Sequence, residues 1–406
     1  MTAYKWQFAP RFRSHAFGWR SDKPIQRIKE ALSEIKRMAK QDPALAASGA
    51  VLFLEKISPA LEQVDSSSGA IGASVNRAID SLVPLIAKAP VAPSVRQQWL
   101  QRLWLALQAD AIPYIEALGD AWGELCANAE CASQWADEFR PAVEQVLQVS
   151  GYAYFKGSSA YLSSLYAAGR FDELLALFDN PSFSGWWYRQ WGVRALLALD
   201  RKADALHYAE ASKKIINTPL SDVAKVCEAI LIASGLYEEA YNRYAREANS
   251  GTTHLATFRA LVKKYPHKPA ADILEDLVAS EPNSEGKWFA AAKDAGLFDR
   301  AIELVNTSPT DPRTLIRASR DSAEKQAQFA VSAGMAALRW MARGYGYQIT
   351  TGDVLEAYTS VLNAARFAGI PEAQINAQIR EVMSQEDAGN HSILATLRKR
   401  LIEASN

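Results

Sequence analysis

A six-residue turn formula recurs through the middle of this 406-residue chain and narrows what it can fold into. Gly169-Arg170-Phe171-Asp172-Glu173-Leu174, Gly235-Leu236-Tyr237-Glu238-Glu239-Ala240 and Gly296-Leu297-Phe298-Asp299-Arg300-Ala301 each follow an apolar run. Asp200-Arg201-Lys202-Ala203-Asp204-Ala205 keeps the shape without the glycine, and Pro269-Ala270-Ala271-Asp272-Ile273-Leu274 is a weaker fifth copy. Starts at 169, 200, 235, 269 and 296 lie 31, 35, 34 and 27 residues apart. Glycine closes a first helix cheaply in the left-handed conformation. The aromatic is placed to pack back across the turn, the acid suits the positive N-terminus of the next helix, and Ala or Leu lets the two helices approach. A period of about 30 to 35 residues is that of a helix-turn-helix unit, which buries its apolar faces only by stacking on neighbours.

These residues resemble the tetratricopeptide family. Glycine, aromatic, acid and alanine recur, Phe178 and Tyr244 lie nine residues beyond their glycines, and Pro181, Pro219 and Pro309 fall in inter-repeat turns. Asp200 replaces a glycine, and the steps are irregular. The resemblance covers about 155 of the 406 residues and implies an all-α, helical-hairpin solenoid that holds a peptide or partner helix in its concave groove. The whole chain, especially Trp6-Gln7-Phe8-Ala9-Pro10-Arg11-Phe12 and Ala16-Phe17-Gly18-Trp19-Arg20, also resembles a family of uncharacterised bacterial proteins. That resemblance implies a bacterial cytoplasmic protein and no particular activity.

Four segments follow from a pass along the chain. Residues 1–21 are an arm in which Tyr4, Trp6, Phe8, Phe12, Phe17 and Trp19 alternate with Lys5, Arg11, Arg13 and Arg20. Residues 22–150 form an N-terminal helical domain, beginning with a helix whose apolar face is Ile25, Ile28, Leu32, Ile35 and Met38. Its second helix, from Pro43 to about Val64, is apolar nearly all round and so belongs in a core. Ser66, Ser67 and Ser68 read as N-capping residues for a third, and 94–109, 112–127 and 129–149 as further helices. Residues 151–306 are the repeats, and 307–406 a helical C-terminal cap. Sustained period-two alternation is absent, so no sheet is expected.

Composition excludes several classes. Hydrophobic content of 49% supports a large core, and a formal charge of zero argues against a general nucleic-acid coat. That zero conceals an asymmetry: residues 1–40 carry ten Lys/Arg against Asp22, Glu30 and Glu34, a net of +7, and the rest of the chain is −7. Three cysteines suit a reducing compartment rather than a disulfide framework. No stretch of 18 uninterrupted apolar residues occurs and the first 20 residues lack a secretory pattern, so a cytoplasmic protein without membrane partners is expected.

Candidate sites divide by chemistry. Trp186, Trp187, Arg189 and Trp191 form the densest aromatic-basic cluster, with Trp187 and Trp191 on one face of a repeat helix, and are the groove candidates for a protein partner. Arg11, Arg13 and Arg20 are the nucleic-acid candidates, since arginines neutralise phosphates while aromatics stack on bases. For the arm itself the favoured reading is that its aromatics dock onto the first helices, because exposed apolar area costs about 25 cal/mol per Å². Asp204, His207 and Glu210 make a stripe of titratable groups, but a single imidazole favours a solvated helix face over a metal site. Cys126 and Cys131 read as buried thiols, Asp120 and Glu124 as solvated acids, and Lys263, Lys264, His267 and Lys268 as a solvated basic turn. No metal, cofactor or catalytic motif is expected; a helical enzyme with an unrecognised site stands as the third reading.

Overall fold

The structure, a computed structural model, describes residues 4–148, 155–384 and 391–403. It is all-α, with no strand among the described residues. Two compact units divide the chain, Met1–Pro219 and Leu220–Asn406. Each has its own core. The division falls within the stretch expected to form one array of repeats, and the boundary expected near Gly151 lies outside the described residues. Burial explains the placing. Leu165, Leu174, Phe178 and Trp191 enter the core built by the N-terminal helices, whereas residues from Tyr241 onward share a core with the C-terminal ones.

The first unit contains α1 (Asp22–Ala39), α2 (Pro43–Leu61), α3 (Ala70–Ala87), α4 (Pro93–Ala109), α5 (Trp122–Cys126), α6 (Ala129–Gln148), α7 (Ser158–Ala167), α8 (Phe171–Ala176), α9 (Trp186–Ala198) and α10 (Lys202–Ala211). α2 is its central helix: Ala46, Ala50, Phe53, Leu54, Ile57 and Leu61 are wholly buried, and α1, α3 and α4 pack around it. Its start is set by Asp42, whose carboxylate accepts from the Leu45 amide at 2.9 Å, and by Pro43 in the first turn. By length and composition alone α2 and α3 suffice to cross a membrane; here α2 fills a protein core.

Two local expectations are corrected. The N-cap of α3 is not a serine but Gly69, left-handed at φ 70°, and Ser68 Oγ accepts the helix's first amide, Ala70 N–H, from one position upstream at 3.4 Å. Residues 112–127 do not form one helix but an irregular stretch ending in α5. Pro113 has no amide to donate, and the buried Asp110 carboxylate takes the Ile115 N–H at 2.9 Å and the Ser58 hydroxyl, holding the chain out of helical register.

The arm is docked. Trp6, Phe8, Phe12 and Phe17 are buried, with Phe8 and Phe12 edge-on to Phe53 of α2 at 5.6 and 5.0 Å between ring centroids. Trp6 lies on Gly49, where a Cβ would stand 2.2 Å from the indole. Buried Glu34 of α1 accepts the Gln7 and Phe8 amides at 2.9 and 3.1 Å, fastening the arm's backbone to the helix.

The second unit contains α11 (Leu220–Ala233), α12 (Tyr237–Ala240), a π turn at Tyr241–Ala245, α13 (Arg246–Ala248), α14 (His254–Lys264), α15 (Ala270–Ala279), α16 (Phe289–Asp294), α17 (Phe298–Thr307), α18 (Pro312–Ser322), α19 (Ala327–Ala342), α20 (Thr351–Phe367), α21 (Glu372–Ser384) and α22 (His391–Glu403). The turn formula folds the same way wherever the first four copies occur. Gly169, Asp200, Gly235 and Gly296 are left-handed, and the next amide returns to the carbonyl five residues earlier, as in Arg170 to Leu165 and Leu236 to Leu231, both 2.9 Å. Gly344 and Gly369 repeat it, with Tyr345 bonded to Trp340 and Ile370 to Ala365. The Pro269 copy is a different turn, since Pro269 itself has φ −57° and ψ 136°. The aromatic packs within its own turn only at Phe171, against Tyr166; Phe298 reaches Phe329 and Tyr237 meets His267.

Candidate functional site

The second unit's first hairpin widens at Tyr241–Ala245, where α12 passes into a π turn. Such a turn holds one residue more than an α-helical turn and leaves a local gap. Side chains from later hairpins pin it. The Tyr241 hydroxyl donates to Asp276 Oδ2 at 2.8 Å, and Lys268 Nζ lies 4.4 Å above its ring. Just beyond the turn, Asn249 Nδ2 donates to Glu228 Oε1 at 2.7 Å. Glu228 is wholly buried, and Tyr265 and Lys264 also donate to it. A buried carboxylate is tolerable only with this degree of satisfaction. Burial, reinforced by bonding to carboxylates, pushes the Tyr241 and Tyr265 phenols well above their ordinary range, so both remain donors.

Against this turn opens a cleft of about 620 Å³ lined by Asn242, Arg246, Ser250, Thr252, His254, Glu281 and Trp288 among others. Thr253 caps α14, its hydroxyl accepting the Ala256 amide at 3.1 Å, and places His254 at the first helical position. Gly251 donates its amide to Thr257 Oγ1 at 2.9 Å, which curls the 250–253 loop over α14. Glu281 joins the two sides of the cleft, meeting Arg246 Nη2 at 2.6 Å and His254 Nε2 at 3.0 Å. Partial burial opposes its charge, but the bonds from His254 and Arg246 outweigh that and hold its carboxyl below the usual glutamate range. The His254 ring stands edge-on to Trp288 at 4.6 Å, and the buried Trp288 Nε1–H finds no acceptor among the described residues. A second cavity of about 250 Å³ flanks the same turn, lined by Tyr241, Ala245, Arg246, Leu261 and Asp276. Donors, acceptors and an aromatic wall in one open cleft suit recognition of a polar chain segment.

None of Arg246, His254, Glu281 or Trp288 was marked by sequence motifs. A signal was present: Arg246 and Glu281 are 35 residues apart, one step of the turn formula.

The residues singled out from sequence are distributed differently. Trp186 and Trp191 are buried, Trp191 against Tyr166 at 5.7 Å with Arg194 stacked over it. Trp187 is 53% exposed and folds back over Gly185, so Trp187 and Trp191 do not share an environment despite their spacing. Arg189 fastens α9 to α10, donating to Ser212 Oγ at 2.9 Å with its guanidinium 4.0 Å from the Tyr208 ring centre. Burial pushes the Tyr208 phenol up to about 12. Arg11 pairs with Glu30 at 2.8 Å, while Arg13 and Arg20 are exposed. His207, Asp204, Asp120 and Glu124 are exposed, and Cys126 and Cys131 are buried free thiols. The basic turn is not simply solvated: Lys264 reaches buried Glu228, and Lys268 and His267 meet Glu238 at 3.6 and 3.5 Å.

No protein-family model matches the chain, and no curated protein matches it. The chain is similar to one in the crystal structure of the APC/C hetero-tetramer Cut9-Hcn1, at 12% identity over 94% of this chain and 74% of that one, with a TM-score of 0.24. A likeness at that level carries no argument about function, and the all-α, helical-hairpin character of this chain rests on its own helices and turns.

Proposed function

We propose that this chain is a non-catalytic protein-interaction scaffold that holds an extended peptide segment of a partner. The observation that supports it is the cleft at the π turn, where successive hairpins contribute an Arg246–Glu281–His254 cluster and neutral hydrogen-bonding groups to one surface, backed by the buried Trp288. An extended peptide presents alternating donors and acceptors along its backbone, and such a rim can pair with them. Among the α9 residues, Trp187 is the one whose ring remains exposed; it belongs to the first unit and serves as the comparison position for the cleft. A cytoplasmic location goes with it, supported by three cysteines left as free, buried thiols.

The test is selection of peptides from a displayed library on the pure protein, followed by titration of the selected sequences against Arg246→Ala, Glu281→Gln and Trp187→Ala. A cleft binder is expected to lose at least about tenfold in affinity with either cleft variant, the range of an interfacial charged contact, and much less with Trp187→Ala. Selected peptides indifferent to both cleft variants would sink the reading, as would a library that yields none.

A further inference from the structure

A second surface, in the first unit, carries an inference independent of the cleft. α1 buries Ile28, Ala31 and Ile35 and turns Lys23, Lys29, Lys36, Arg37 and Lys40 to solvent. At a rise of about 1.5 Å per residue the cationic face is about 25 Å long from Lys23 to Lys40. The docked arm runs beside it, and between them lies a groove of about 410 Å³ whose lining includes Arg11, Arg27, Lys29, Arg37, Glu30 and Glu34.

Both carboxylates in that groove are already committed. Glu30 takes Arg11 at 2.8 Å and Arg27 at 2.5 Å, and Glu34 takes the arm's amides. Among the described residues no carboxylate partner occurs for Lys23, Lys29, Arg37 or Lys40, nor for Arg13 and Arg20 on the arm. Docking the arm therefore sets Arg11 beside Arg27, Lys29 and Arg37 of α1, within the segment that carries the net +7. At one end of α1, Trp19 is 72% exposed, though four other aromatics of the same arm are buried.

We propose that the exposed face of α1 and its groove with the arm bind a single strand of nucleic acid, the cations meeting phosphates and Trp19 stacking on a base. A strand supplies regularly spaced anions and unpaired ring faces, which matches a line of lysines ended by a free indole. A membrane surface fits less well, because the apolar face of α1 is used in the core and cannot insert. A duplex offers the phosphates but no free base for Trp19. The buried arm aromatics take no part; they hold the surface in place.

The test is fluorescence anisotropy of the full chain with a labelled oligothymidine of about 16 nucleotides, the upper end of a single-strand site, across a salt series. With about four phosphates neutralised, log affinity is expected to fall against log salt with a slope near −3. Lys29→Glu combined with Arg37→Glu is expected to cost tenfold or more and to flatten the slope by about 1.4, whereas Lys29→Arg with Arg37→Lys leaves both unchanged. Trp19→Ala is expected to weaken binding about fivefold or more at every salt without changing the slope. All these positions are solvent-facing, and circular dichroism checks that each variant folds. The proposal is overturned if the oligonucleotide fails to bind at low salt, if the charge reversals have no effect, if Trp19→Ala has none, or if a duplex or phosphatidylserine vesicles bind more tightly. Arg246→Ala serves as control and leaves this binding intact, so its failure and that of the cleft are read separately.

Discussion

At Gly49 a tryptophan ring occupies the space where any other residue would carry its Cβ. The contact is one of several that fix the arm, beside the Glu34 carboxylate on the Gln7 and Phe8 amides and the packing of Phe8 and Phe12 on Phe53. Gly49→Val is expected to expel Trp6 and destabilise the first unit by about 1 to 3 kcal/mol, with faster proteolysis within residues 1–20 as the measurement. Glu34→Ala leaves the buried Phe8 amide and the part-buried Gln7 amide without their acceptor and is expected to cost about 1 to 3 kcal/mol by urea unfolding. The docking itself was readable in the sequence, because so many aromatics in a short arm are costly in water. Its partner was not: nothing local marks a glycine in α2 as the seat for a tryptophan more than 40 residues upstream. The same limit applies to α9, where i, i+4 spacing put Trp187 and Trp191 on one face but tertiary packing buried only Trp191.

Among the elements, the turns were the most readable, since a left-handed glycine needs only local chemistry. Gly235→Ala is expected to cost about 1 to 2 kcal/mol at its φ of 75°, measured by thermal unfolding. Asp200→Gly is expected to cost far less than that, or to stabilise, because Asp200 already holds φ 57° with a Cβ. What links one hairpin to the next is harder to see. Tyr241–Asp276, Arg246–Glu281 and Arg259–Asp294 each span 35 residues, so these three polar ties of the second unit join positions one period apart. The formula steps through the chain at a similar interval, yet its regular positions are turn residues rather than these charges. The π turn left no mark in the sequence. An added residue within a helix changes the register without changing the composition, and the cleft it helps to form was missed with it.

Over the whole molecule, two cores imply two cooperative events. Calorimetry is expected to resolve two transitions rather than one, and a single two-state transition would contradict independent units. Acid separates them. Arg313 forks onto Asp353 at 2.9 and 3.1 Å, and these bonds, against a weaker effect of burial, hold its carboxyl well below the usual aspartate range; the Thr350 capping box adds to this. A depressed folded value means that the stabilisation is complete above about pH 4, the unfolded value, and is lost as pH falls from there toward the folded one. Glu281 contributes with the same sign. Asp353→Asn is expected to lower the second unit's transition by about 1 to 2 kcal/mol at neutral pH and to flatten its decline in acid, leaving the first unit's unchanged. All-α architecture was evident from the sequence; the division at Pro219 was not, because a repeat pattern crosses it without interruption.

The distribution of tryptophan also makes the chain its own optical instrument. Of the eleven indoles, only Trp288 and Trp340 belong to the second unit, and both are buried. Trp340 is tied by its Nε1–H to the Val305 carbonyl, while Trp288 stands in van der Waals range of an imidazole at the edge of the cleft. A guest settling beside His254 would alter the quenching of one of two emitters in that half of the molecule. An emission change on titration that disappears in Trp288→Phe and survives in Trp340→Phe would report occupancy of the cleft without any attached dye.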